Sequence, residues 1–166
     1  DGRVEGRVRV GVWRAVRMAV SGAVSSMVHS RGASISYAVS RGASAAAATV
    51  LLISPGGMRS SISMWKSQPW DAWKQLSELP DFRAVAMDQR NAGSSSGPLG
   101  SGWDSYADDQ LAVLDHLGVD RCLLVGQCIG PSYIFRLLRR APYRFTAAVL
   151  LQPIGVAEHT TEPQSW

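Results

Sequence analysis

The residue of this chain best placed to do chemistry is a glycine-flanked cysteine. In Val125-Gly126-Gln127-Cys128-Ile129-Gly130 the glycines stand two positions before and two after Cys128, giving the pattern G-x-C-x-G. The apolar run Arg121-Cys122-Leu123-Leu124-Val125 precedes it and reads as a buried strand, and Pro131 to Arg140 follows as a helix. A nucleophile on a sharp strand-to-helix turn has a strained backbone, and glycines at those flanking positions remove Cβ clashes. The turn lifts the side chain above the sheet edge. It also sets the sulfur at a helix N-terminus, where the dipole favours thiolate. A serine there needs a base, whereas thiolate is intrinsically nucleophilic. Pro131 suits the first helical turn, where its missing N–H costs little. The bland alternative is a cysteine buried in a tight turn, which is all that G-x-C-x-G alone would mean; the strand–turn–helix setting favours the reactive reading. Cys122, inside the strand, reads as core.

The elements that must carry this turn are legible from Ile35 onward. Ile35 to Val39 alternates as a strand does. Ser40 to Ala48 is a small-residue loop, and Thr49 to Ile53 is a continuous apolar run suited to a strand buried on both faces. Ser54-Pro55-Gly56-Gly57 breaks it. Trp65 to Leu79 reads as mostly helical, with a start after Pro69 as the shorter version, and Pro80 stops it. Phe82 to Met87 is a strand and Asp88 to Gly102 a loop rich in Gly, Ser and Asn. Trp103 to Leu117 is the clearest helix: Tyr106, Gln110, Val113, Leu114 and Leu117 fall on one face, the acids are expected on the other, and Gly118 is its C-cap. Thr146 to Leu151 is the last strand. Apolar strands alternating with helices predict an α/β fold: a mostly parallel sheet with helices on both faces, in three αβα layers.

Bulk properties set the frame. The 166 residues are enough for one domain with a core, and 46% hydrophobic with 18% charged residues is an ordinary globular balance. The net charge of +4 lies entirely within residues 1–31, where Arg3, Arg7, Arg9, Arg14, Arg17 and Arg31 outweigh Asp1 and Glu5. The remainder is neutral, which argues against a nucleic-acid partner. Residues 1–31 are read as a basic leader without fixed order: either an organelle-targeting peptide or, the favoured version, a non-native leader ahead of Met18 or Met27. Residues 32–166 are read as the domain. Two cysteines make no disulfide framework and no zinc spacing, so a reducing compartment, the cytoplasm, is the simpler location. No apolar run is long enough to span a bilayer, so no membrane partner is expected.

Ile35 to Gly155 resembles the α/β-hydrolase superfamily through features that follow one another in that family's order. Ser54-Pro55-Gly56-Gly57-Met58 resembles its His-Gly oxyanion loop, with Pro in place of His. Asp88-Gln89-Arg90-Asn91-Ala92-Gly93-Ser94-Ser95 resembles its D-x-R-G-x-G-x-S loop, with Asn for the first Gly. Trp103 to Asp120 resembles the helix ahead of the nucleophile strand. Gly126 to Gly130 resembles the nucleophile elbow, with Cys for Ser. Cysteine at that position resembles the dienelactone-hydrolase-like members, whereas the D-x-R loop resembles the broader esterase, peptidase and acyltransferase-like group.

The resemblance implies Cys128 as nucleophile, with the backbone N–H of Ile129 as one oxyanion donor and that of Gly57 or Met58 as the second. Asp88 and Arg90 are expected to brace their loop. The implied activity is acyl transfer on a small-molecule ester, amide or similar carbonyl compound, without metal or organic cofactor. The alternative is a non-catalytic member that binds a small apolar ligand. A Rossmann-type nucleotide binder is a weak third reading, since no G-x-G-x-x-G opens a helix. The family order is nucleophile, acid, histidine. After Cys128 only Glu158, His159 and Glu162 remain; either glutamate can serve as the acid, but His159 comes too early for the usual base. The chain is therefore read as an incomplete domain, short of its last strands, acid and histidine, with little triad-type activity and limited solubility. Its oligomeric state is not legible.

Overall fold

The computed structural model describes residues 23–41, 43–100 and 102–154. In chain order the elements are β1 (Ala23–Ser30), β2 (Ala33–Ser40), β3 (Ala48–Ile53), α1 (Ala72–Ser77), β4 (Phe82–Met87), α2 (Trp103–His116), β5 (Cys122–Gln127), α3 (Gly130–Arg140) and β6 (Phe145–Leu151), with short 3₁₀ turns at Gly57–Arg59, Ile62–Ser67 and Pro142–Arg144. The strands form one six-stranded sheet in the order β1-β2-β4-β3-β5-β6. β4, β3, β5 and β6 run parallel. β1 and β2 add antiparallel at one edge.

The period of two along β3 explains the layers. Val50 and Leu52 face one side, where Trp65, Ala72 and Trp73 pack on them with Ala84 and Ala86. Leu51 and Ile53 face the other, beneath α2 and α3, among Val85, Met87, Val113, Leu114, Leu124, Ile134 and Leu137. The sheet is thus covered by α1 on one face and by α2 and α3 on the other, the expected αβα arrangement. β6 is an outer strand, and Thr146 to Val149 are exposed along it.

The domain boundary expected after residue 31 is corrected. Ala23–Ser30 is a strand of the sheet, paired with β2 from Ala23↔Ser40 to Ser30↔Ala33. Arg31 and Gly32, both at positive φ (44° and 79°), form the hairpin turn between them. Two-residue turns with left-handed backbone at both positions match the twist of a hairpin. The arginine-rich composition obscured this strand, because β1 is only half-buried and carries no apolar run. The rest of the basic leader, residues 1–22, lies outside the described residues.

A second correction is partial: of the two versions read for residues 65–79, the structure takes the shorter. The segment is a 3₁₀ turn at Ile62–Ser67 followed by the short helix α1, which starts after Pro69. The Asp71 carboxylate caps that start by accepting the Lys74 N–H at 3.0 Å. The third concerns α2. Its acids are not all on the solvent face: Asp109 is fully buried, and Arg90 grips it bidentately, Nε to Oδ2 at 2.9 Å and Nη2 to Oδ1 at 2.7 Å. A buried arginine demands such a partner, and helical spacing alone does not reveal it.

Candidate active site

Cys128 occupies the turn between β5 and α3, with φ of +60°. This left-handed backbone is unusual for a residue with a Cβ. It is held by the Cys128 N–H, which donates to the Leu151 carbonyl at the end of β6 at 3.0 Å. The flanking glycines are there for space. A Cβ on Gly126 would lie 2.8 Å from the Gly130 carbonyl carbon, and one on Gly130 would lie 2.7 Å from the Ile53 carbonyl oxygen. Strand, turn and helix are therefore packed backbone on backbone, and neither position admits a side chain. Pro131 sits in the first turn of α3, as its missing N–H allows. Cys128 remains partly exposed, while Cys122 is buried at the far end of β5.

The other site residues read from sequence converge on the same sheet end. β3 neighbours β5, with Ile53 opposite Gly126, so the turn after β3 lies beside Cys128's turn. In it Gly56 and Gly57 have φ of +120° and +61°. Arg59 and Ser60 N–H donate to the carbonyls of Gly56 and Gly57, each at 3.2 Å. Gly57, Met58 and Ile129 N–H meet no acceptor among the described residues. Met58 is tied to α3 as well: its Sδ accepts the Tyr133 hydroxyl at 3.7 Å. Burial holds the Tyr133 phenol far above its ordinary range, so it is a neutral donor.

The Asp88 loop braces the floor. Asp88 Oδ1 accepts the Ile62 N–H and Oδ2 the Ser94 N–H, each at 2.8 Å. A Cβ on Gly93 would collide with that carboxylate. Asn91, standing where the family pattern has glycine, adopts φ of +60°, and its Oδ1 accepts the Gly97 N–H at 2.9 Å. Asparagine tolerates this conformation better than most residues, which reconciles the substitution with the turn. Arg90 braces through Asp109 and not through Asp88.

Neither described histidine lies at the Cys128 turn. His29 lies on the outer strand β1 and hydrogen-bonds Ser34 Oγ at 3.1 Å. His116 ends α2, its ring edge-on to Tyr37 at 5.8 Å, before β5 begins, whereas Cys128 follows its end. Glu158, His159 and Glu162 lie outside the described residues. Sequence reasoning missed Gln68, Gln127 and Gln152. The Gln127 Nε2 donates to Oε1 of Gln68 at 2.9 Å and of Gln152 at 3.3 Å. Only the position of Gln127 beside Cys128 hinted at this.

A family model for the alpha/beta hydrolase fold matches residues 49–166, and the chain belongs to that family. In sequence it is 36% identical over 77 residues to a bifunctional esterase/perhydrolase of Acinetobacter calcoaceticus, covering 46% of this chain and 28% of that protein. In structure it is similar to Cfl2 of Burkholderia cenocepacia (TM-score 0.69, 18% identity, 89% of this chain and 49% of the other). It is also similar to naproxen esterase of Bacillus subtilis (TM-score 0.65, 23% identity, 79% and 43%). The chain spans less than half the length of each of these relatives. Among the described residues no helix is long and apolar enough to cross a membrane.

Proposed function

We propose that this chain carries the nucleophile-bearing part of a hydrolase for small ester- or amide-type carbonyl compounds, with Cys128 as the nucleophile. The observation that carries the reading is the +60° φ of a partly exposed cysteine between glycines that have no room for a Cβ. Strain of this kind persists only where the surroundings over-determine it, and it concentrates at functional sites. The ester chemistry is supported by the Acinetobacter relative named an esterase.

In the reaction the Cys128 thiolate adds to the carbonyl carbon, forming a C–S bond while the C=O π pair moves onto oxygen. The Ile129 N–H and that of Gly57 or Met58 donate to this oxyanion. Its collapse re-forms the carbonyl and expels the alkoxide or amine, which takes up a proton. Water then hydrolyses the thioester, returning the acid and the thiol. Two oriented donors are worth several kcal/mol of barrier in such sites. Two free thiols suit a reducing compartment such as the cytoplasm.

A second reading is favoured by one observation: no histidine stands beside Cys128 among the described residues. On that reading the chain binds a small apolar ligand and does not turn it over. For the same reason little steady-state hydrolysis is expected from the 166-residue chain itself. Iodoacetamide labelling of the native chain, read residue by residue, separates the two. Modification of Cys128 at neutral pH about tenfold faster than that of free glutathione is expected for the nucleophile, a comparison that the burial of Cys122 does not bias. Cys128 labelling no faster than that of glutathione would leave the binding protein as the better account.

A further inference from the structure

Gln127, the residue immediately before Cys128, is almost fully buried at 7% exposure, yet it is an amide in a place where an apolar side chain would cost nothing to desolvate. Both hydrogens of its Nε2 are used. One goes to Gln68 Oε1 at 2.9 Å, the other to Gln152 Oε1 at 3.3 Å. The orientation of Gln68 is set independently, because its own Nε2 donates to Ser67 Oγ at 3.2 Å and the Met64 carbonyl at 3.5 Å. Its oxygen is therefore the atom left to face Gln127. Gln152 has φ of +49°, a left-handed backbone for a residue that is not glycine. It directly follows Leu151, whose carbonyl receives the Cys128 N–H.

One carboxamide thus joins the segment before α1, the end of β5 and the segment after β6. Those partners are 59 and 25 residues away in the chain. The cost is visible too: Gln127 Oε1 is buried and meets no donor among the described residues. A buried polar group with an unmet oxygen is a net expense unless its donors hold something in place.

We propose that Gln127 is a positioning residue, whose carboxamide clamps the Gln68 and Gln152 segments onto the Cys128 turn and thereby keeps that turn in its left-handed conformation. The consequence for reactivity rests on the reading of Cys128 as nucleophile; the clamp itself does not. Losing the clamp lets Leu151 and Gln152 relax, and with them the acceptor that fixes the Cys128 N–H.

The test uses the whole chain and three variants, Gln127→Leu, Gln152→Leu and Gln68→Leu. Gln152 is exposed, so its replacement leaves folding intact and decides the matter if Gln127→Leu does not fold. Two quantities are read: the rate of Cys128 alkylation by iodoacetamide across pH, and the hydrogen exchange of the Cys128 amide. In Gln127→Leu the alkylation rate at neutral pH falls about tenfold, as small misplacements of reacting groups do, and the pH–rate profile is displaced. Gln152→Leu and Gln68→Leu change in the same sense by less. Exchange at the Cys128 amide speeds up in all three, and Cys122 labelling is unmoved. Alkylation profiles and amide exchange that superimpose on the parent in folded Gln127→Leu and Gln152→Leu overturn the clamp. If the parent's Cys128 alkylates no faster than glutathione, the nucleophile reading falls, and amide exchange alone then decides the clamp.

Discussion

The two ends of β5 hold the same side chain in opposite circumstances. Cys122 opens the strand at 2% exposure, and burial pushes its thiol from an ordinary 9.0 up to about 11, against weaker opposing pulls from Arg144 and a backbone hydrogen bond to Leu51. Cys128 follows the strand's end, partly exposed, on a left-handed turn that opens α3. The contrast teaches that a thiol's surroundings here are set by its place along the strand and not by its residue type. At the C-terminal end of parallel strands, adjoining turns and helix N-termini bring unused N–H groups together. At the N-terminal end the chain enters from packed apolar structure, and a thiol there behaves as a small hydrophobe.

The comparison breaks most sharply at the glycine that lets the helix approach. Gly130→Ala places a methyl group 2.7 Å from the Ile53 carbonyl oxygen, a backbone atom that cannot swing aside. A loss of about 3 kcal/mol in denaturant-unfolding stability is expected from overpacking. An unchanged midpoint would show that the tight approach of α3 to β3 is not what holds the turn.

Alkaline titration sharpens the other end. Between the ordinary thiol value of 9.0 and about 11, the unfolded chain has released a proton that folded Cys122 still holds. The native state then binds more protons, so stability falls as pH rises through that window. The Cys122 contribution is about 3 kcal/mol, measured as unfolding free energy against pH and read as the difference between the parent and Cys122→Ala, because the buried Tyr133 phenol adds a like loss above its ordinary 10.0. Parent and Cys122→Ala profiles that superimpose in shape would place Cys122 in contact with water.

The smallest effect is that of Cys122→Ala at neutral pH. Removing a buried sulfur costs about 1 kcal/mol through lost packing. Cys128 alkylation stays as it was. A parallel fall in Cys128 labelling would mean that the two ends of β5 are not independent.

Much of the fold was legible because short windows of sequence carry it. The apolar runs at 49–53 and 121–125 became β3 and β5, and the glycines around Cys128 announced the turn that the geometry shows. Asn91 was read as a departure from the family pattern, and the structure accommodates it at positive φ. β1 was misassigned because arginine-rich composition outweighed the Arg31-Gly32 turn, the local signal that was present. The burial of Asp109 escaped notice because a helical repeat gives a face, not the identity of what packs on it.

What the sequence determined by itself was therefore most of the elements from β2 onward, the alternation that makes a three-layer α/β domain, and the strand–turn–helix bearing Cys128. These follow from backbone sterics and apolar periodicity within ten or so residues. The strand order, the addition of β1, the Arg90–Asp109 pair and the three-glutamine junction were decided only by the tertiary structure. Each joins groups far apart in the chain, and a hydrogen bond or ion pair between such groups has no local signature until the sheet brings its partners within reach.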